Sequence, residues 1–168
     1  MHFSKIINMA IDKFEFYHGA ALSKLFVPNR KVTINECPST SKCAYTLNDS
    51  VALYIKFSTG RMTKWRFSFQ RAHQEEIKEI YDLHKQLFLL LVCGSDGIVC
   101  LSYEELKKVL DDQFDDVEWI SVERWRKQQY RIKGSNGKLD FKIPLKAYPK
   151  KIFDTLDNVK DDLLLWIK

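Results

Sequence analysis

The segment Leu87-Phe-Leu-Leu-Leu-Val-Cys93 contains no polar residue. Seven apolar residues fall far short of the roughly 20 that cross a bilayer as a helix. The lack of any alternation instead fits a strand covered on both faces. A chain organised around such a strand needs one layer of structure above it and another below. Gly94-Ser95-Asp96-Gly97 follows as a tight turn, and Ile98 to Leu101 reads as the returning strand. If Asp96-Gly97 is a two-residue loop, Ser95 pairs with Ile98 and Cys93 falls opposite Cys100.

The rest of the chain supplies the covering layers. Apolar residues at Ile6, Ala10, Phe14, Tyr17, Ala21 and Leu25 share one helical face, which predicts a helix from Phe3 to Phe26 that ends before Pro28. Strands are expected at Lys31–Glu36, Ala44–Leu47, Val51–Ser58 and Trp65–Phe69. Val51, Leu53, Ile55 and Phe57 carry the two-residue period. A helix over Ala72–Lys85 presents Ile77, Ile80, Tyr81 and His84. Ser102 and Glu105 have capping-box spacing for a short helix. Beyond the acidic stretch Asp111–Asp116 comes a strand over Val117–Val122. Asn136-Gly137 then signals a type I′ hairpin pairing Gly134 with Leu139, Ile132 with Phe141 and Tyr130 with Ile143. A terminal helix over Phe153–Ile167 turns Leu156, Val159, Leu163 and Trp166 inwards. With no repeat and no low-complexity linker, the expectation is a single domain over 1-168 of the mixed α/β (α+β) class. Its central mixed sheet is flanked by helices and followed by a C-terminal β-hairpin and helix.

Four cysteines, Cys37, Cys43, Cys93 and Cys100, are too few for a disulfide scaffold, and their gaps do not match zinc-finger spacing. Reduced thiols, the absence of a spanning segment and an N-terminal patch, Ile6–Ile11, too short for a secretory leader all point to a cytoplasmic protein without a membrane partner. His18, His73 and His84 provide acid/base chemistry in principle, but no spacing ties any of them to a cysteine.

Charge is the more informative signal. Lys and Arg number 27 against 22 acids, and the excess is unevenly placed. Between Ser50 and Gln74 stand Lys56, Arg61, Lys64, Arg66 and Arg71 with no acid, interleaved with Trp65, Phe67 and Phe69. Strand alternation puts those three rings on one face and Arg66 on the other. The hairpin gathers Arg131, Lys133, Lys138 and Lys142 on its polar face, with Arg124, Arg126 and Lys127 upstream. Clustered cations are what binding to DNA or RNA requires; a plain solvated face is the other account of the same pattern.

The order helix, strands, helix, strand resembles the PD-(D/E)XK nuclease core, a restriction-endonuclease-like fold. The resemblance implies an acid on one strand and an acid-x-Lys on the next around Mg²⁺. Here Asp49 and Lys56 would be catalytic, Glu15 and Glu75 would add carboxylates, and Asp49 and Glu75 would hold the metal. Tyr54 stands where the motif has an acid, so the core reads as active only if Glu75 substitutes, and otherwise as degenerate. Separately, the blocks Val51-Ala-Leu-Tyr-Ile-Lys-Phe-Ser-Thr, Trp65-Arg-Phe-Ser-Phe-Gln and Leu91-Val-Cys-Gly-Ser-Asp-Gly-Ile-Val-Cys-Leu-Ser resemble a family of small uncharacterised bacterial proteins. That likeness implies a bacterial setting and no catalytic assignment. Two functions are therefore expected to compete: a nucleic-acid-associated protein with a nuclease-like core, and a non-catalytic interaction module. The second would assemble with a protein partner or another copy through Leu163, Leu164, Leu165, Trp166 and Ile167.

Overall fold

The computed structural model of the protein describes residues 10–167. In chain order its elements are α1 (Lys13–Ser23), β1 (Ile34–Glu36), β2 (Ala44–Leu47), β3 (Val51–Ser58), β4 (Trp65–Gln70), α2 (Arg71–His84), β5 (Leu87–Cys93), β6 (Gly97–Ser102), α3 (Tyr103–Lys107), β7 (Val117–Glu123), β8 (Arg131–Gly134) and α4 (Ala147–Trp166). They form two sheets. One is five-stranded, ordered β1-β2-β3-β5-β6; the other is three-stranded, ordered β4-β7-β8. Only β3 and β5 run parallel, because β4 and α2 intervene between them and bring the chain back to the same end. Fold class and mixed sheet are as the sequence implies, with β4 diverted into a sheet of its own.

The apolar β5 is buried along its whole length, as is β3 from Val51 to Ile55. Each face of β3 meets a different layer. Phe57 stacks on Tyr17 of α1 with ring centroids 4.6 Å apart, on the side where the Tyr148 hydroxyl of α4 also donates to the Ala21 carbonyl. On the other side Tyr54 donates to Glu76 of α2 at 2.8 Å, and Lys56 donates to the Ser68 carbonyl of β4. The order of layers is thus α1 and α4, the five-stranded sheet, then α2 with the three-stranded sheet.

Several local expectations are corrected. The first helix begins at Lys13, because the Asp12 side chain accepts from the Glu15 N–H at 2.9 Å and caps it. Residues 3–9 of the expected helix lie outside the described residues. The terminal helix begins earlier than Phe153, and Leu163 and Trp166 are exposed rather than inward-facing. At the β5–β6 turn Cys93 pairs with Gly97, and Cys100 with Leu90. Gly94 adopts a left-handed φ of 54°, which side chains resist, so the connection is the three residues Gly94-Ser95-Asp96. A shift of register by an odd number turns side chains over, so Cys93 and Cys100 point to opposite faces. All four cysteines are free thiols.

The Asn136-Gly137 hairpin is also rearranged. Tyr130 pairs with Ile143 as expected, but Lys133 bridges Lys138 and Leu139 donates to the Ile132 carbonyl. Two extra residues therefore bulge in the returning limb, and neither Asn136 nor Gly137 has positive φ. The cause is the end of α3. A Cβ on Gly134 would stand 2.4 Å from the Val109 carbonyl oxygen, and one on Gly137 would stand 2.3 Å from that of Lys108. The glycines serve close approach, and Asn136 donates to the Val109 carbonyl at 3.0 Å.

Asp96 joins the two sheets. Its carboxylate accepts from Arg124 Nε at 2.8 Å, from Arg124 Nη2, and from the fully buried Tyr130 hydroxyl at 2.8 Å. The Arg124 guanidinium, with help from Tyr130, holds the carboxyl below its usual range against the opposing effect of burial. Asp96→Ala strands a buried hydroxyl and a guanidinium together. Its urea-unfolding free energy is expected to fall by about 2 kcal/mol, whereas Asp82→Ala, on an exposed helical pair, should cost about 0.5 kcal/mol or less.

His18 is buried at 2% exposure, stacked on Phe14 and 2.9 Å from the Tyr45 hydroxyl. Burial lowers its pKa from 6.5 to about 4, against a smaller opposing pull from Asp12. The folded state thus binds fewer protons than the unfolded chain in that window. Stability should be unaffected by this group above pH 6.5 and should fall by on the order of 2–3 kcal/mol as pH drops towards 4. Denaturant titrations of wild type and His18→Gln across that range check it: the slope should flatten in the variant.

Candidate nucleic-acid interface

The three-stranded sheet has one buried and one open face. In β4, Trp65, Phe67 and Phe69 are buried and Arg66, Ser68 and Gln70 exposed. In β7, Glu118, Ile120 and Val122 point inwards, while Trp119, Ser121 and Glu123 are half-buried on the outer side. In β8, Ile132 and Gly134 are buried and Arg131 and Lys133 exposed. This is two-residue periodicity repeated on three paired strands.

Register lines the outer residues into rows. Arg66 lies opposite Ser121, Ser121 opposite Lys133, and Lys133 opposite Lys138. Glu123 lies opposite Arg131, with Lys64 just before β4 on the same side. A groove of about 460 Å³ runs along these rows, lined by Lys64, Arg131, Lys133, Lys138 and Lys142, with Glu123 and Asp140 among them. Arg66 and Lys142, at opposite margins of the sheet, therefore belong to one surface.

Aromatic rings accompany the cations. The Arg66 guanidinium sits 4.6 Å from the centroid of Trp119. The β3–β4 loop, with Arg61, and the β7–β8 loop, with Trp125, Arg126 and Lys127, are tied together by a bond from the Arg124 N–H to Thr63 Oγ1 at 3.1 Å. Trp125 is 56% exposed and Met62 77%. Phe141, expected inwards opposite Ile132, is instead 46% exposed in the groove because of the bulge.

Some of the cations of the described chain are held in ion pairs and others are not. Arg30, Arg71, Lys78, Lys107, Arg124, Lys150 and Lys151 each form an ion pair with a carboxylate. Among the described residues, Lys64, Arg66, Arg131, Lys133, Lys138 and Lys142 form none; Lys142 donates only to Gln128 Oε1 at 3.1 Å. Behind them Glu118 is 1% exposed and neither of its oxygens has a hydrogen-bond partner. Burial, reinforced by Asp111 and Asp115, raises its pKa against a smaller opposing influence of Asn136 and Gln74.

Lys56 does not join this surface. It is half-buried between the sheets, with its Nζ 3.3 Å from His73 Nδ1 and 4.7 Å from the Phe69 centroid. Desolvation lowers its pKa, with nearby Cys43 opposing.

The nuclease-like set is likewise dispersed. Glu15 is exposed in the first turn of α1, in the layer across the sheet from Lys56. Asp49 is exposed in the β2–β3 turn with a φ of 55°. From Val51 to Lys56 the strand alone runs about 16 Å. Glu75 is exposed and paired with Arg71 at 3.0 Å. Asp49, Lys56, Glu15 and Glu75 do not fit a shared Mg²⁺, and among the described residues no group of three or more His, Cys, Asp or Glu is placed to hold a metal.

The carboxylate that does meet β3 is Glu76. It accepts from Tyr54 at 2.8 Å and from the Ser41 hydroxyl and N–H at 2.5 and 3.2 Å. Burial pushes its pKa up, but these donors and the Thr40 N–H outweigh burial and hold it below the usual range. A carboxylate so saturated latches the 38–41 loop to α2 and is a poor proton acceptor. Helical spacing carried the signal: Glu76 shares its face with His73 and Ile80, and Glu75 does not.

No helix among the described residues is long and apolar enough to cross a membrane. Compared with family models, curated proteins and solved structures, the chain matches none at a significant level.

Proposed function

We propose that the protein binds nucleic acid, without a metal-dependent cleavage step, through the outer face of β4, β7 and β8. The observation that supports it is the gathering of six cations, without a carboxylate ion pair among the described residues, on one face of the small sheet and its returning limb. An unpaired cation keeps its charge available, and replacing condensed counterions on a phosphate chain is the main sequence-independent source of affinity. Arg61, Arg126 and Lys127 extend the basic area at one end. The separation of Asp49 from Lys56 is the reason cleavage is left out. Four free thiols support a cytoplasmic setting.

Binding of labelled DNA and RNA should weaken linearly in log K against log salt. Lys133→Ala should make that slope shallower by about 0.7 to 0.9 at unchanged fold. Failure to retain either polymer at low ionic strength would end this reading.

A second reading has its own support. Leu163, Leu164, Leu165, Trp166 and Ile167 are 52% to 89% exposed at the end of α4, and apolar side chains left open together are a feature of assembly surfaces. As an assembly surface it predicts a mass that rises with protein concentration in sedimentation and returns to monomer in Leu164→Glu/Trp166→Glu.

A further inference from the structure

We infer that the strand bound on this face is single, its unpaired bases resting against Trp125 and Phe141 while its phosphates follow the flanking cations. The inference rests on the nucleic-acid reading above and narrows it to one class of polymer. Three features of the surface lead to it.

The first is the exposure of the rings. Phe141 lines the groove and is 46% exposed, and Trp125 in the β7–β8 loop is 56% exposed, whereas Trp119 is half-buried with the Arg66 guanidinium over its ring. Large aromatic rings left open to water become useful when a flat apolar partner covers them. Every unpaired base offers such a face, and a duplex hides them all between its own stacked neighbours.

The second is shape. From β4 across β7 and β8 to the returning limb at Lys138, four aligned positions span about 14 Å. Among the described residues no helix lies across this face to enter a major groove, which is the usual way a duplex is read. A shallow channel of about 460 Å³ accepts a flexible strand laid along it.

The third is the pattern of charge inside the groove. A track for phosphates alone would be uniformly basic. Here Glu123 lies between Lys64 and Arg131, and Asp140 accompanies Lys138 and Lys142. Carboxylates repel phosphate but accept hydrogen bonds from the exocyclic amino groups of bases. Acids enclosed by cations therefore mark places for base edges, with the backbone on the cations at either side.

The test uses the full chain and one strand of about 20 mixed nucleotides, as DNA and as RNA, each alone and annealed to its complement. Anisotropy should show the single strand binding at least tenfold more tightly than the duplex, with quenching of tryptophan fluorescence. Trp125→Ala should weaken single-strand binding roughly 5- to 100-fold and leave duplex binding unchanged, and Trp125→Phe should restore most of the loss. Equal affinity for both forms, or single-strand binding indifferent to Trp125→Ala, overturns this inference while leaving the nucleic-acid reading standing. Binding to neither form defeats both. Binding only to phosphatidylserine vesicles likewise defeats both and assigns the basic, tryptophan-bearing loops to a lipid surface.

Discussion

The two-sided burial of β5 and β3 governs this molecule. A strand of seven apolar residues is stable only when both faces are removed from water, at about 25 cal/mol per Å² of apolar surface. Helices α1 and α4 cover one face. On the other, α2 covers part, and the chain completes the layer by turning β4 out of the main sheet and pairing it with β7 and β8. The inner side of that small sheet, with Phe67, Phe69, Ile120, Val122 and Ile132, closes the core. Its outer side has no packing duty, which leaves it free to be basic. The Asp96 contact with Arg124 and Tyr130 fixes how the two sheets meet, and so where the basic face lies relative to the body.

The basic surface and the core are therefore two sides of the same strands. Arg66, Lys133 and Arg131 alternate with buried partners one residue away, so their direction is set by the residues that pack. Lys56 illustrates the converse. It belongs to a strand of the main sheet, its side chain enters the seam between layers, and the Ser68 carbonyl and the Phe69 ring take it up.

Much of this was legible in the sequence where it depends on local period. β2, β3 and β5 have the bounds read from alternation and apolar runs alone, and the split of Trp65, Phe67 and Phe69 from Arg66 follows from the same rule. What escaped was decided by distant neighbours. Asp96 and Gly97 have the chemistry of a two-residue turn, but Asp96 is held by residues some 30 positions later. Asn136-Gly137 has the chemistry of a type I′ turn, but its glycines are needed to let the end of α3 approach. In the site, alternation could gather cations on each strand. It could not show that β7 would stand between β4 and β8 and bring Trp119 and Glu123 with it, nor that Glu76 rather than Glu75 would reach Tyr54.

The course of β7 has one more implication. It starts beside the acidic stretch Asp111 to Asp116 and ends at the loop bearing Arg124, Arg126 and Lys127. The strand thus runs from an acidic stretch to a loop whose cations Arg126 and Lys127 are unpaired among the described residues. On the proposed reading, a polyanion would draw in the basic end first. Dilute salt sharpens that orientation and concentrated salt erases it.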